Sequence, residues 1–269
     1  VSVRRAPVAV AVVGTGAVGR AVAAALVRDD APGCVLVATV GSRSSAAEVQ
    51  AAVDAADVVV EASTVDAARS LVPLALGAGT DVVVCSCGVL AEPGFLDGLF
   101  TARPAGRVLL PAGALGGFDV LAAAARAGTA GARVRHTTVK RPGALGVVRD
   151  LDAPHEVFRG TAREAALAYP RTSNSSVALA MATLGLDRVE VVVVADPAAS
   201  QTRHLVEWES PVGHYELSFT NAVAQESGGR TSAVTAWSVV ELLAGVARGV
   251  GPGAVVLGPG DVERLAATV

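Results

Sequence analysis

Aromatic side chains are scarce in this 269-residue sequence: Trp, Tyr and Phe make up 3% of it, although 52% of its residues are hydrophobic. The core must therefore be built mostly from Ala and Val. Long apolar runs are also missing. The richest span, 236–257, is interrupted by Glu241, Arg248, glycines and Pro252, so no stretch of about 18 residues reads as a membrane helix. Charge of one sign is not in excess; a net charge of −3 and a pI near 5.8 argue against a nucleic-acid partner. Cys34, Cys85 and Cys87 are odd in number, and Cys85-Ser86-Cys87 is too tightly spaced for a C-x-x-C redox or zinc motif. Buried thiols in a reducing cytoplasm are the expectation. The opening VSVRRAPVAV lacks the cleavage pattern of a secretion signal. No pair among the histidines has i,i+4 metal-ligand spacing with a carboxylate nearby, so no metal is expected.

What is present centres on residues 8–26, VAVAVVGTGAVGRAVAAAL. Val8, Val10, Val12 and Val13 belong to a continuous apolar run that reads as a strand buried on both faces. The chain then turns through Gly14-Thr15-Gly16-Ala17-Val18-Gly19 into an Ala-rich helix. Gly14 permits the tight bend, Gly16 lets the backbone approach a pyrophosphate, and Gly19 lets helix and strand pack closely. The helix N-terminus offers N–H groups and partial positive charge to phosphates. A merely structural glycine turn is the competing reading; the strand before and the helix after favour a dinucleotide.

A second strand, 34–40, ends in Gly41-Ser42-Arg43-Ser44-Ser45. NAD-specific sites place Asp or Glu there, roughly 20 residues beyond the glycines, to bond the ribose 2′-hydroxyl. With no carboxylate present, a 2′-phosphate can sit against Arg43 and the serine hydroxyls of Ser42 and Ser44. NADP is preferred, NAD remains possible, and a solvated loop arginine is the alternative. Further strands at 57–62 and 81–85 deliver Ala62 with Ser63, and Ser86 with Gly88, to the same edge. Alternating strands and helices give an α/β, doubly wound parallel Rossmann sheet with its ligand crevice at the strand carboxyl ends. From residue 114 the pattern changes: 133–140, 203–209 and 214–220 alternate like half-solvated strands. They imply a second α+β domain with a largely open, mixed or antiparallel sheet. The expected division is 1–113 with 232–269 against 114–231.

Several stretches resemble the L-aspartate dehydrogenase family over nearly the whole chain: CSCGVLAE at 85–92, PAGALGGFD at 111–119, Lys140-Arg141-Pro142, Ala195-Asp196-Pro197 with His204 following, and Arg230-Thr231-Ser232. The resemblance implies a Rossmann domain and a second domain whose open sheet often mediates dimerisation. A homodimer acting on a small amino acid, keto acid or imine is thus expected, with nicotinamide-dependent oxidative deamination of aspartate as the reaction. It makes His204 the catalytic histidine. An imidazole, with an unperturbed pKa of about 6.5, independently suits proton transfer at a carbon bearing nitrogen or oxygen. Lys140 is a second catalytic candidate, against an ordinary surface role. His136, His155 and His214 read as structural or solvated. For substrate, the candidates are Asn174, Thr202, Arg230, Thr231 and Ser232.

The sequence departs from the family pattern where specificity would be set. The family's Asp-Arg after the second strand is Ser42-Arg43. Its Phe-Pro-x-Asn-x-Asn-Val-Ala segment is the longer Tyr169–Ala178, which retains Asn174. Its asparagine two residues before the histidine is Thr202, and its Asn-Pro before Lys-Thr-Ser is Gly228-Gly229. Two alternatives stay open: reduction of a different imine or carbonyl in a biosynthetic pathway, and a non-catalytic NADP-binding protein.

Overall fold

A computed structural model describes residues 6–102, 104–147, 151–224, 227, 231–249 and 255–257. The first part of the chain alternates strictly: β1 Val8–Val13, α1 Ala17–Val27, β2 Cys34–Val40, α2 Ala46–Asp54, β3 Val58–Glu61, α3 Val65–Gly77, β4 Asp81–Val84, a 3₁₀ turn Cys87–Ala91, α4 Phe95–Thr101 and β5 Val108–Leu110. The second part contains α5 Phe118–Ala127, β6 Arg133–Lys140, β7 His155–Thr161, α6 Ala162–Ala168, α7 Asn174–Ala182, β8 Val189–Ala195, β9 Thr202–Ser210, β10 Gly213–Asn221, α8 Val234–Arg248 and β11 Val255–Leu257.

Sheet one runs β11-β5-β4-β3-β1-β2. The five strands from β5 to β2 are parallel, and β11 pairs antiparallel with β5. Buried strands with helices on both faces must be apolar along their length, which is why β3 reads Val58-Val59-Val60. Val22, Ala25 and Leu26 of α1 pack with Val239, Val240 and Leu243 of α8 on one face. Ala52 and Val53 of α2 and Leu71 and Val72 of α3 cover the other. Strand order reverses beside β1, between β2 and β3, so the crevice of a doubly wound sheet opens above those strand ends.

Sheet two runs β10-β9-β6-β8-β7 and is mixed, since β6 and β8 are parallel while the other neighbours are antiparallel. The alternation of β6 buries Val134, His136, Thr138 and Lys140 on its inner face. Its other face carries ion pairs from Arg135 and Arg159 to Glu190. Helix α7 lies inside the molecule and is buried from Ser176 to Met181, as a helix without a polar face must be. It begins at Asn174, so Asn174, Ser175 and Ser176 form its first turn.

Two glycines of the first turn are required by the protein itself. Gly14 has φ +128°, and a Cβ there would overlap the Ala62 carbonyl; a Cβ on Gly19 would overlap the carbonyl of Gly14. The ends of β1 and β3 and the start of α1 thus touch through backbone. Gly14→Ala is expected to cost about 2–4 kcal/mol through strain and forced separation of these strands. Urea unfolding of the variant against the parent measures it.

Candidate active site

The last residue of β3 organises the crevice. Glu61 is fully buried and accepts four hydrogen bonds: from the Ser63 N–H at 2.8 Å, the Ser63 hydroxyl at 2.7 Å, the Ser86 N–H at 2.8 Å and the Ser86 hydroxyl at 3.0 Å. It therefore ties the segment after β3 to the segment after β4. An acidic side chain ending an otherwise apolar buried strand is the sign of this role in the sequence. Ser63 and Ser86 consequently line the crevice with their hydroxyls already committed to Glu61.

Above these strand ends lies a cleft of about 620 Å³ between the two sheets. Val18, Ala62, Ser63, Cys85, Ser86 and Gly88 form its first wall; Lys140, Asn174 and His204 contribute to the second. Thr231, Ser232 and Thr235 approach from the start of α8. The walls are linked by the Gly88 N–H, which donates to Asn174 Oδ1 at 3.0 Å. Cys85 is half-buried against the cleft, so the expectation of three buried thiols holds for Cys34 and Cys87 only. Burial and the nearby Glu61 push both the Cys85 and Cys87 thiols upward, which leaves neither disposed to react as thiolate.

His204 is delivered by β9, whose entry is held by Asp196. That side chain accepts from the Ala198 N–H at 2.9 Å and pairs with Arg203 at 2.7 Å. The Ala-Asp-Pro segment thereby fixes the loop leading into β9. His204 Nδ1 lies 3.0 Å from His136 Nε2, and His136 Nδ1 lies 2.9 Å from the Ser176 hydroxyl. The two imidazoles stack with centroids 5.2 Å apart. Among the described residues, His204 Nε2 is buried with no hydrogen-bond partner, as is the hydroxyl of Thr138 directly across the β6–β9 pair. Burial first, and then Lys140, lowers His136 to a pKa of about 3; burial, His136 and Lys140 lower His204 well below its usual value. Both rings are neutral imidazoles at pH 7. Burial also lowers Lys140 to about 8, within reach of proton exchange near neutral pH.

Other expected site residues lie elsewhere. Thr202 is buried at the head of β9, opposite Asn221, and is absent from the cleft wall. Arg230 lies outside the described residues. Ser42 and Arg43 are exposed and Ser44 half-buried, in a loop beyond the cleft wall. Gly41 sets that loop against Thr15, because a Cβ on Gly41 would press into the Thr15 side chain. Ser44 accepts from the Gly41 N–H, whereas the Ser45 hydroxyl is bonded to Glu48 in a capping box. His155 and His214 are exposed, but His136, expected to be structural or solvated, is bonded to the candidate catalytic histidine. Its even spacing from Thr138 and Lys140 on β6 was the available sign. Arg171 and Ser175, from the lengthened 169–178 segment, also line the cleft. Among the described residues no cluster of His, Cys, Asp and Glu could hold a metal, and no helix is long and apolar enough to cross a membrane.

Gly16 supplies the test of fit for a dinucleotide. Unlike Gly14 and Gly19, it has no protein atom within 4 Å of where a Cβ would stand, and α1 begins without a side-chain cap or an acidic residue in its first turn. The space beside Gly16 and the N–H groups of Ala17 and Val18 suit a pyrophosphate. An NAD(P)-binding Rossmann domain joined to a second mixed-sheet domain defines an oxidoreductase fold. Residues 14–110 match the NAD-binding domain of homoserine dehydrogenase, and residues 119–246 match the C-terminal domain of aspartate dehydrogenase. L-aspartate dehydrogenase 2 of Bordetella pertussis is 33% identical over 253 residues, spanning 86% of this chain and 94% of that protein. L-aspartate dehydrogenase of Ralstonia nicotianae is 38% identical over 200 residues, spanning 71% and 74% of the respective chains. The crystal structure of aspartate dehydrogenase from Thermotoga maritima superposes with a TM-score of 0.68 at 24% identity, covering 89% of this chain and 96% of that one. The chain belongs to the aspartate dehydrogenase family.

Replacing Glu61 by Gln puts an amide N–H₂ among four donors. Glu61→Gln is expected to destabilise the fold by about 1.5–3 kcal/mol and to weaken coenzyme binding, because one of the two oxygens joining the loops becomes a donor that faces donors. Thermal unfolding and a fluorescence titration with NADPH read the two effects.

Proposed function

We propose that this protein is an NADP-linked dehydrogenase acting on the C–N bond of aspartate or a similar small amino acid, by oxidative deamination or, in reverse, imine reduction. The observation that supports it most is the bare Nε2 of His204 standing with buried Lys140 in a cleft floored by the ends of β3 and β4. Gly14, Gly16 and Gly19, with the N–H groups of Ala17 and Val18, would hold the pyrophosphate. Ser42, Arg43 and Ser44 would hold the 2′-phosphate, and Ala62, Ser63, Ser86 and Gly88 the nicotinamide half. When bound, the nicotinamide supplies hydride exchange at the substrate carbon.

The chain's own work is to bind, orient and move protons. Neutral Lys140 takes the proton of the substrate ammonium at Nζ, leaving the amine lone pair available as the C–H bond breaks. His204 Nε2 hydrogen-bonds the substrate beside it. Substrate carboxylates meet cationic and amide groups: Arg171, which has no partner among the described residues, and the Asn174 amide N–H₂, whose Oδ1 is already engaged by Gly88. Thr231 and Ser232 complete the wall, with Arg230 next in sequence. The division of the chain at residues 113 and 232, a homodimer through the open face of the second sheet, and a cytoplasmic location suited to three unpaired thiols belong to the same reading. A second reading, reduction of a different imine or carbonyl, is favoured by Arg171, Thr172 and Ser175 lining the cleft from the lengthened 169–178 segment.

Coenzyme oxidation with oxaloacetate plus ammonia tests the first reading; turnover of other imines without it favours the second. NADPH is expected to bind at least tenfold more tightly than NADH, and Arg43→Ala to remove most of that difference, in fluorescence titrations. Because burial lowers Lys140 to about 8, its neutral form accumulates as pH rises through that value. The rate of oxidative deamination should climb across the same range, and Lys140→Met should abolish that limb of the pH–rate profile.

A further inference from the structure

His204 can meet a substrate in either of two ways, as a lone pair that accepts or as an N–H that donates, and three side chains decide between them. A neutral imidazole has one N–H and one lone pair. In the row Ser176 hydroxyl, His136, His204, the bonds of 2.9 Å and 3.0 Å must all run in the same direction. If they run outward, Ser176 donates to His136 Nδ1, His136 Nε2–H donates to His204 Nδ1, and His204 carries its proton on Nε2, facing the cleft. If they run inward, His204 Nδ1–H donates to His136, and His136 Nδ1–H donates to Ser176. His204 Nε2 is then a lone pair.

The two directions differ at Ser176. That serine is 1% exposed in the first turn of α7, and His136 is its only hydrogen-bond partner among the described residues. In the inward direction its own hydroxyl proton is buried without an acceptor. In the outward direction the donor left over is instead the Nε2–H of His204, a residue of the cleft wall where a ligand oxygen can accept it, whereas Ser176 is not part of that wall. An ammonium at Lys140 pulls toward the inward direction, but it does not hydrogen-bond His204 Nε2, whereas Ser176 bonds His136 directly. Neither ring escapes the choice by becoming a cation, since burial and Lys140 hold both histidines neutral.

The geometry points to His136 and Ser176 as positioning residues that fix His204 in the Nε2–H tautomer, making it a hydrogen-bond donor to a substrate oxygen and leaving proton acceptance to Lys140. This rests on the dehydrogenase reading for the identity of the ligand but not for the tautomer, which exists in the ligand-free protein.

The test is the ¹⁵N spectrum of the histidine-labelled full chain, without substrate, above the Lys140 pKa of about 8. His204 Nε2 is expected at the shift of a protonated ring nitrogen and Nδ1 at that of an unprotonated one. The opposite assignment overturns the proposal, whatever substrate the enzyme proves to use. In Ser176→Ala the two tautomers should mix, moving both His204 shifts toward intermediate values and lowering kcat at least tenfold with KM changed less than threefold. Ser176→Thr, which restores a hydroxyl, should recover both readouts. Unchanged shifts in a folded Ser176→Ala protein refute the role of Ser176, and the parent spectrum decides the tautomer even if that variant fails to fold. Failure to turn over aspartate with the expected spectrum would count against the substrate alone.

Discussion

A single buried acidic side chain holds together the surface on which the chemistry depends. Glu61 sits at the carboxyl end of β3 with no access to solvent, and its position is tolerable because four donors from Ser63 and Ser86 surround it. The bonds cross from one parallel strand to the next at the sheet edge, where the ladder hydrogen bonds run out. Without such a bridge the two loops would have only their small side chains to define their separation. Beside it, the backbone contact of Gly14 with Ala62 brings β1 and β3 together at the reversal of strand order. One polar clamp and one steric contact thus shape the floor of the cleft.

The opposite wall is built by strand alternation. Period-two spacing sends His136, Thr138 and Lys140 of β6 and His204 of β9 to the same buried inner face. A low-dielectric setting gives these few polar groups their properties: it keeps the imidazoles neutral and brings the amine to the edge of neutrality. The same burial makes each hydrogen bond in the row costly to leave unmade. Among the described residues of the cleft, Arg69 at the rim is paired with Glu92 at 2.6 Å, whereas Arg171 has no ion-pair partner.

Much of the fold was legible in advance because its signals are local. The strand–glycine turn–helix at residues 8–26, the parallel strands ending in small residues, and the alternating strands of the second sheet all follow from side-chain periodicity. The chain's membership of the aspartate dehydrogenase family follows from motifs spread along its length. Less legible were the short 3₁₀ turn at Cys87–Ala91, helix α4, and strand β11, whose few residues carry no period of their own.

By itself the sequence determined the doubly wound first sheet, the glycine cradle and the candidacy of His204, since each depends on residues close together in the chain. Only the tertiary structure decided which distant residues serve that histidine. His136 is 68 positions from His204 and Ser176 is 40 from His136, and nothing in their spacing distinguishes them from structural residues. Likewise Glu61 and Ser86, 25 positions apart, become partners only when β3 and β4 align in parallel register. Register, burial and the direction of a hydrogen bond are properties of packed neighbours, and a linear pattern does not contain them.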